Sequence, residues 1–136
     1  HVGGGSGGGG GSSGGKNTNT NTGRMSVFYL VIALMVTLTI FNPSDPITAT
    51  ASAKMAYAQE LPAYIRLHKG ATPALYDEDT DFSSGFSVIK EGSDLCIVAT
   101  GVMVHRVLKI AKELSHHSIR VGVIDVFRLK PINEKD

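Results

Sequence analysis

Two stretches of this chain have the pattern of a β-strand followed by a helix and a second β-strand. The first joins apolar residues 37–41 to residues 63–67 through an alanine-rich segment, and the second joins residues 95–101 to residues 121–126. Parallel neighbouring strands need a crossover, usually a helix, and a sheet covered by helices has almost continuously apolar strands. The sequence therefore predicts the α/β class, with two partial parallel-sheet βαβ units joined by a linker.

The regions around these units differ in composition. Residues 1–24 are mostly Gly, Ser, Asn and Thr, which is typical of a flexible chain, so we expect a disordered low-complexity linker there. The first unit lies in a region over 25–69, and residues 70–84 form a second linker with Gly, Pro and an acidic cluster. The region over 85–136 supplies only two parallel strands, which cannot bury both faces of a sheet. We therefore expect it to be truncated or completed by a partner.

Charge and cysteine content exclude some classes of protein. The net charge is +1, which gives no electrostatic argument for a nucleic-acid partner. The single cysteine, Cys96, excludes an internal disulfide. Because Cys96 lies in the middle of an apolar strand, we expect a buried and unreactive thiol.

The uncharged stretch over residues 26–41 has two interpretations. It follows Arg24 and precedes the small residues 51–53, so residues 25–53 resemble a secretory signal peptide cleaved after Ala53. Alternatively, residues 37–41 form a buried strand, and the protein is cytoplasmic. The stretch is shorter than the roughly 20 residues of a membrane span, so we expect no membrane partner.

A helix is expected directly after the first strand. Ser44 or Asp45 can cap its N-terminus, and Pro46 suits the first helical position. Apolar residues recur at helical spacing and predict its buried face. These residues are Ile47, Ala51, Met55 and Ala58.

The end of the first unit is a candidate anion site. Backbone amides near Ser44 lie at the positive end of the predicted helix, and Arg66, His68 and Lys69 leave the neighbouring strand at the same edge. Arginine is well suited to bidentate phosphate binding. Alternatively, Arg66 pairs with the acidic residues 77–81 and Lys69 is only exposed. The pattern alone leaves both interpretations open.

Other motifs do not support catalysis. Residues 77–81 have the opening spacing of a calcium loop, but Phe82 and Val88 occupy the positions of the required Gly and Glu. Thr100 and Gly101 predict a tight turn without a dinucleotide motif. The sequence has no nucleophile–base spacing and no metal-ligand spacing. We therefore expect no catalytic residue and no metal site in this chain.

Several motifs together resemble a known enzyme family over roughly residues 32–134. Residues 41–46 and 62–67 resemble the end of the pyrimidine-binding domain of transketolases. The Ala99-Thr100-Gly101 turn and the segment from Asp125 to Lys130-Pro131 are similar to the start of the transketolase C-terminal domain. In this interpretation, 25–69 ends the first domain and 85–136 is a truncated second domain.

The resemblance implies a function that this chain would share only in part. Transketolases are transferases of the pentose phosphate pathway that move a two-carbon ketol unit between sugar phosphates, with thiamine diphosphate and a divalent metal. The resemblance implies that Arg66 contacts the substrate phosphate, which agrees with the anion site predicted above from Ser44, Arg66, His68 and Lys69. The family's metal motif and activating glutamate have no counterpart here.

We therefore expect a C-terminal fragment or subunit that binds no cofactor and is inactive alone. Its expected partners are the thiamine diphosphate-binding part or subunit, a second protomer and a sugar phosphate. Two alternatives stay open: a relative of deoxyxylulose phosphate synthases or 2-oxoacid dehydrogenase β-subunits, and an exported non-enzymatic small α/β domain.

Overall fold

The computed structural model describes residues 3–5, 7–9 and 19–134, in two units that divide between Ala33 and Leu34. The predicted disorder of the first 24 residues falls largely outside the described part. Residues 19–24 instead begin helix α1, Asn19–Thr37. The side chains of α1 from residue 23 onward are exposed. No helix in the described residues combines the length and hydropathy needed to cross a membrane.

The first sheet contains the predicted strand–helix–strand unit. Strand β1, Thr39–Phe41, is followed by helix α2, Pro46–Ala58, and strand β2, Ala63–Ile65. β1 and β2 pair in parallel, with Thr39 opposite Ala63. The parallel pair is confirmed, but β1 is shorter than predicted because α1 continues through Thr37.

Helix α2 begins as predicted but buries a different face. Asp45 is the N-cap, and Pro46 opens the helix. The buried residues are Thr48 and Ser52, whereas the predicted apolar stripe from Ile47 to Met55 is half-buried and Ala58 is exposed. The predicted face was wrong because polar contacts turn the Thr48 side inward. The Thr48 hydroxyl donates to the Asp45 carboxylate at 2.7 Å.

The second sheet has the strand order β3–β5–β4. Its strands are β3, Phe86–Lys90; β4, Leu95–Ala99; and β5, Val121–Val126. β4 and β5 are parallel and are connected through helix α3, Met103–Ser115. β3 pairs antiparallel with β5.

One face of this sheet packs on α3. The core consists of four buried residues with Ile97 and Ala99 against them; the four are Val107, Ala111, Val121 and Val123. Alternation along β4 places Cys96 and Val98 on the opposite face, where both are exposed. The prediction of a buried Cys96 was therefore wrong, because no described element covers that face.

The chain links the two sheets after β5. Phe127 is fully buried, and the next strand, β6 (Arg128–Lys130), pairs antiparallel with β1 in the first sheet. The Gly85 carbonyl accepts from the amides of Phe127 and Arg128 at 3.1 and 2.9 Å. The α/β class is confirmed, and each sheet also contains a third strand whose antiparallel pairing was not predicted.

Candidate functional site

The structure places Arg66 at the carboxyl end of the first sheet. Its backbone amide donates to the Phe41 carbonyl at 2.9 Å, directly beyond the paired residues Phe41 and Ile65. The ends of β1 and β2 are therefore adjacent, as the sequence predicted. The Arg66 side chain is exposed.

The predicted neighbours of Arg66 are only partly brought together. A cavity of about 210 Å³ is lined by residues 43–46 and by the turn that follows β2, including Ser44 and His68. Arg66 and Lys69 do not line this cavity, and both are exposed. Among the described residues the only ion pair joins Arg120 and Asp94, so Arg66 makes no ion pair with the acidic linker there.

Three backbone amides at the start of α2 are occupied by the protein itself. The amides of Ser44 and Asp45 donate to the Thr48 hydroxyl, each at 3.1 Å, and the Thr48 amide donates to the Asp45 carboxylate at 2.7 Å. A carboxylate thus lies at the positive end of the helix, where a bound anion was expected. Any anion binding near Ser44 would therefore depend on side chains rather than on these amides.

Next to this helix end lies a buried carboxyl group that was not among the predicted site residues. Asp125 on β5 is fully buried. Its Oδ2 atom accepts from the Ser44 hydroxyl at 2.6 Å and from the Tyr76 hydroxyl at 2.9 Å. Its Oδ1 atom has no hydrogen-bond partner among the described residues. Asp125 therefore connects β5 with the start of α2 and with the segment between the two sheets.

Two further contacts extend this cluster. The His105 ring nitrogen Nε2 lies 2.8 Å from the Ser44 carbonyl oxygen, and the Leu75 amide donates to Asp45 Oδ2 at 2.7 Å. We refer to Ser44, Asp45, Tyr76, His105 and Asp125 as the Asp125 network. The network joins α2, α3, β5 and the segment that was predicted to be a simple linker.

Burial raises the pKa values of two groups in this network, Asp125 and Tyr76. Burial raises the pKa of Asp125, and the nearby Asp45 charge adds to the rise, although hydrogen bonds from Ser44 and Tyr76 and the charge of His105 oppose it. Burial also raises the pKa of the Tyr76 hydroxyl, and the neighbouring Asp125 adds to this effect. Tyr76 therefore stays protonated at neutral pH and can donate to Asp125.

One sequence signal could have identified Asp125. It is the only charged residue within Val121–Val126, a strand whose other residues are apolar or Gly. A charged residue in such a strand indicates a paired buried group. Its partners Ser44 and Tyr76 lie 81 and 49 residues away, and no local pattern connects them.

The described part of the chain offers no group of three or more His, Cys, Asp or Glu side chains that could hold a metal ion. The acidic residues 77–81 contact their own loop instead. Asp81 accepts from the amide and the hydroxyl of Ser83 at 2.9 and 3.1 Å.

Comparison with known proteins assigns this architecture. Residues 85–136 match the family model of the transketolase C-terminal domain. A subunit of a 6-deoxy-6-sulfo-D-fructose transketolase from Clostridium sp. (strain MSTE9) is 33% identical over 99 residues, which are 72% of this chain and 31% of that protein. Homo sapiens transketolase is 28% identical over 102 residues, which are 73% of this chain and 16% of that protein.

Solved structures agree with this result. A split-gene transketolase, described as an inactive β4 tetramer, has a TM-score of 0.68 and 38% identity, covering 71% of this chain and 33% of that chain. A transketolase mutant from Pichia stipitis shows the same fold at a TM-score of 0.62 and 21% identity, covering 74% of this chain and 15% of that chain.

These alignments have two consequences. The curated alignments are longer than the whole stretch 85–136, so the similarity includes residues before 85. The chain spans a third or less of the length of these relatives. The chain belongs to the transketolase family, and residues 85–136 match that family's C-terminal domain.

Proposed function

We propose that this chain is a C-terminal segment or subunit of a thiamine diphosphate-dependent enzyme that transfers a two-carbon ketol unit between sugar phosphates. The position of Arg66 carries this proposal. Arg66 follows β2 at the carboxyl edge of a parallel strand pair, and α/β sheets bind ligands at such edges. Its exposed guanidinium makes no ion pair with any described residue.

Arg66 would bind the substrate phosphate through parallel N–H donors. His68 and Lys69 follow Arg66 in the same exposed turn, where Lys69 would add positive charge and the His68 ring a further polar contact. Ser44 would line the neighbouring cavity, but its hydroxyl donates to Asp125 and is not a free donor to a ligand. Arg66 is therefore the main expected phosphate contact.

The cofactor would be held mainly by another polypeptide or another part of a longer protein. Thiamine diphosphate would supply the carbanion chemistry of ketol transfer. The described residues of this chain do not fit the cofactor's metal ion, because they contain no suitable ligand cluster. We expect the chain to act only with a cofactor-binding partner and a second protomer; a cytoplasmic location stays a prediction.

A sulfonated sugar is a second candidate substrate. A relative with 33% identity is a subunit of a 6-deoxy-6-sulfo-D-fructose transketolase. Sulfonate and phosphate are both tetrahedral oxyanion groups that a guanidinium can bind in a bidentate way. Arg66 could thus serve either substrate.

The hypothesis of an exported domain that is cleaved after Ala53 agrees less well with the structure. Cleavage after Ala53 would fall inside α2, Pro46–Ala58, and would separate β1 from the rest of the first sheet.

A titration monitored by nuclear magnetic resonance tests the Arg66 assignment. We expect fructose 6-phosphate to shift the Arg66 side-chain resonances, whereas fructose should not, because only the phosphate ester carries an anion for the guanidinium. A parallel titration with 6-deoxy-6-sulfofructose tests the second candidate substrate, which should shift the same Arg66 resonances if the sulfonate binds there. Arg66→Ala should weaken binding about tenfold, as for a lost charged hydrogen bond, and Arg24→Ala is the matched control.

Equal affinity of the Arg66→Ala and Arg24→Ala proteins for both anionic sugars would refute the assignment. Ketol transfer by the purified chain with thiamine diphosphate and magnesium but no other protein would refute the need for a partner.

A further inference from the structure

The segment between β1 and α2, residues 42–45, contacts the second sheet as well as the first. β1 and β2 are parallel, and so are β4 and β5, so each sheet has a carboxyl edge of the kind at which α/β proteins bind ligands. At the carboxyl edge of the second sheet, the place of a ligand is taken by residues 42–45 of the protein itself. We call these four residues the edge segment.

Both parallel strands of the second sheet contact the start of the edge segment. The Asn42 amide donates to the carbonyl of Phe127, the residue that follows β5, at 2.8 Å. The hydroxyl of Thr100, the residue that follows β4, donates to the Asn42 carbonyl at 3.3 Å. The second sheet therefore holds both backbone polar groups of Asn42.

Two side chains from β5 and α3 hold Ser44. Asp125 Oδ2 accepts from the Ser44 hydroxyl at 2.6 Å, and His105 Nε2 lies 2.8 Å from the Ser44 carbonyl oxygen. Because a carbonyl oxygen can only accept, Nε2 carries the proton and donates in this contact. Ser44 and Asp45 are only 2% and 4% exposed, so water does not compete for these hydrogen bonds.

The edge segment forms one wall of the cavity beside Arg66. Residues 43–46 line that cavity, and Leu67 and His68 line it from the turn that follows β2. The carbonyl of Phe41, the last residue of β1, accepts from the Arg66 amide at 2.9 Å. A displacement of residues 42–45 would therefore move the cavity wall and disturb the backbone contact of Arg66.

The other wall of this cavity is fixed by the same buried carboxyl group. The turn over residues 67–72 leads to Leu75, whose amide donates to Asp45 Oδ2 at 2.7 Å. The next residue, Tyr76, donates its hydroxyl to Asp125 at 2.9 Å. Asp125 thus holds both sides of the cavity, through Ser44 and through Tyr76, although it does not line the cavity itself.

We propose that Asp125 is a positioning residue for sugar-phosphate binding and that it acts through Ser44 and Tyr76. This inference rests on the proposed role of Arg66 as the phosphate contact. Asp125 would not touch the ligand; it would hold the edge segment and the turn after β2 in the geometry that binds. The ligand would then lose little free energy in ordering them. In this way the second sheet would set the affinity of a site on the first sheet.

Binding of fructose 6-phosphate to the full chain, followed through the phosphorus resonance of the sugar, tests this role. Asp125→Ala should weaken binding about two- to thirtyfold, the range for substitutions that act on a site without touching its ligand. Asp125→Asn should bind with nearly the natural affinity, because an amide oxygen can accept from both hydroxyl groups.

Tyr76→Phe should also weaken binding, since it removes one of the two hydrogen bonds to Asp125. It keeps the aromatic ring that packs edge-to-face on Phe82 at 5.2 Å, so it stays informative where Asp125→Ala does not fold. In an Arg66→Ala background, Tyr76→Phe should weaken binding less than it does in the natural chain, because the two residues serve one site. A general loss of folded protein would act equally in both backgrounds.

Val107→Ala is the control for stability. It removes apolar packing from the core between α3 and the second sheet, so the chain is destabilised while the contacts to residues 42–45 are kept. At a temperature where every variant is folded, this chain should bind with the natural affinity.

The outcomes distinguish this inference from the proposed function. If Arg66→Ala weakens binding but Asp125→Ala and Tyr76→Phe bind as the natural chain does, the positioning role is overturned and the role of Arg66 stands. Equal weakening by Val107→Ala would also overturn it, and so would an Asp125→Asn chain that binds as weakly as Asp125→Ala. A natural chain that does not bind fructose 6-phosphate overturns the proposed function and this inference with it.

Discussion

At the scale of single residues, Asp125 connects distant parts of the chain. Its Oδ2 atom accepts from Ser44 and Tyr76, which belong to two different segments. We expect Asp125→Ala to lower the free energy of unfolding by about 2–4 kcal/mol, because two hydroxyl groups lose their acceptor in a buried site. Urea unfolding measures this change.

The matched control for this substitution is Asp125→Asn, which keeps an acceptor oxygen. It should lose much less stability than Asp125→Ala, since a neutral side chain also avoids the burial of charge. Equal losses for the Ala and Asn proteins would show that the hydrogen bonds to Ser44 and Tyr76 do not matter.

The raised pKa of Asp125 predicts a pH dependence of stability. Burial and the Asp45 charge raise this pKa above the ordinary value of 3.8 that applies in the unfolded chain. The folded protein therefore binds the proton more tightly, and the stabilisation is complete below pH 3.8 and is lost as pH rises through the folded pKa. Relative to Asp125→Asn, the natural chain should lose stability as pH rises from about 4.

Urea unfolding of both proteins at a series of pH values measures this difference. A difference that stays constant, or that favours the natural chain more as pH rises, would contradict the direction of the pKa shift.

Residues of the site were predictable only where the signal is local. Asp45 and Pro46 predict the start of α2 correctly, because capping involves neighbours within one helical turn. The neighbouring ends of β1 and β2 follow from the parallel crossover. The partners of Asp125 depend on tertiary packing that no spacing in the sequence encodes, because they lie 81 and 49 residues away.

At the scale of elements, the turn between β4 and α3 depends on Gly101. Its φ of +58° lies in the left-handed region, and an added Cβ would come within 2.8 Å of the Asn42 side chain. The Thr100 hydroxyl also donates to the Asn42 carbonyl at 3.3 Å. This turn therefore contacts the end of β1 and cannot easily move away.

We expect Gly101→Ala to destabilise the chain by more than the roughly 1–2 kcal/mol of left-handed strain, because the steric contact with Asn42 is added to it. Thermal or urea unfolding of Gly101→Ala, Asn42→Ala and the double variant separates the two contributions. The double variant should recover the steric part only. A Gly101→Ala chain as stable as the natural one would show that the turn tolerates a side chain.

Helices α2 and α3 and the parallel strands were predictable because their apolar patterns are local, whereas α1, Asn19–Thr37, was not predicted. The antiparallel additions were not, since β6 pairs with a strand almost ninety residues away and carries only three residues. The buried face of α2 was mispredicted because hydropathy alone could not anticipate the polar contacts of Thr48.

At the scale of the whole molecule, β6 joins the end of the described chain to its first sheet. It pairs with β1 through Ile40 and Phe41, and the Asn42 amide donates to the Phe127 carbonyl at 2.8 Å. We expect a chain that ends after Phe127 to unfold at a lower urea concentration, because β1 loses its antiparallel neighbour.

A chain that ends after Asn133 is the control, since it keeps all of β6. Hydrogen exchange should show faster exchange in β1 for the shorter chain only. Identical protection of β1 in both truncated chains would show that the pairing with β6 adds nothing to the stability of the first sheet.

The pairing of β6 with β1 also has a consequence for cleavage of the exposed acidic segment, residues 77–81. Between β1 and β6 the polypeptide forms a loop whose two ends are held by backbone hydrogen bonds, and the Asp125 network ties the middle of that loop to both sheets. We therefore expect a single proteolytic cut at residues 77–81 to leave two fragments that stay assembled, held by these contacts rather than by the covalent link.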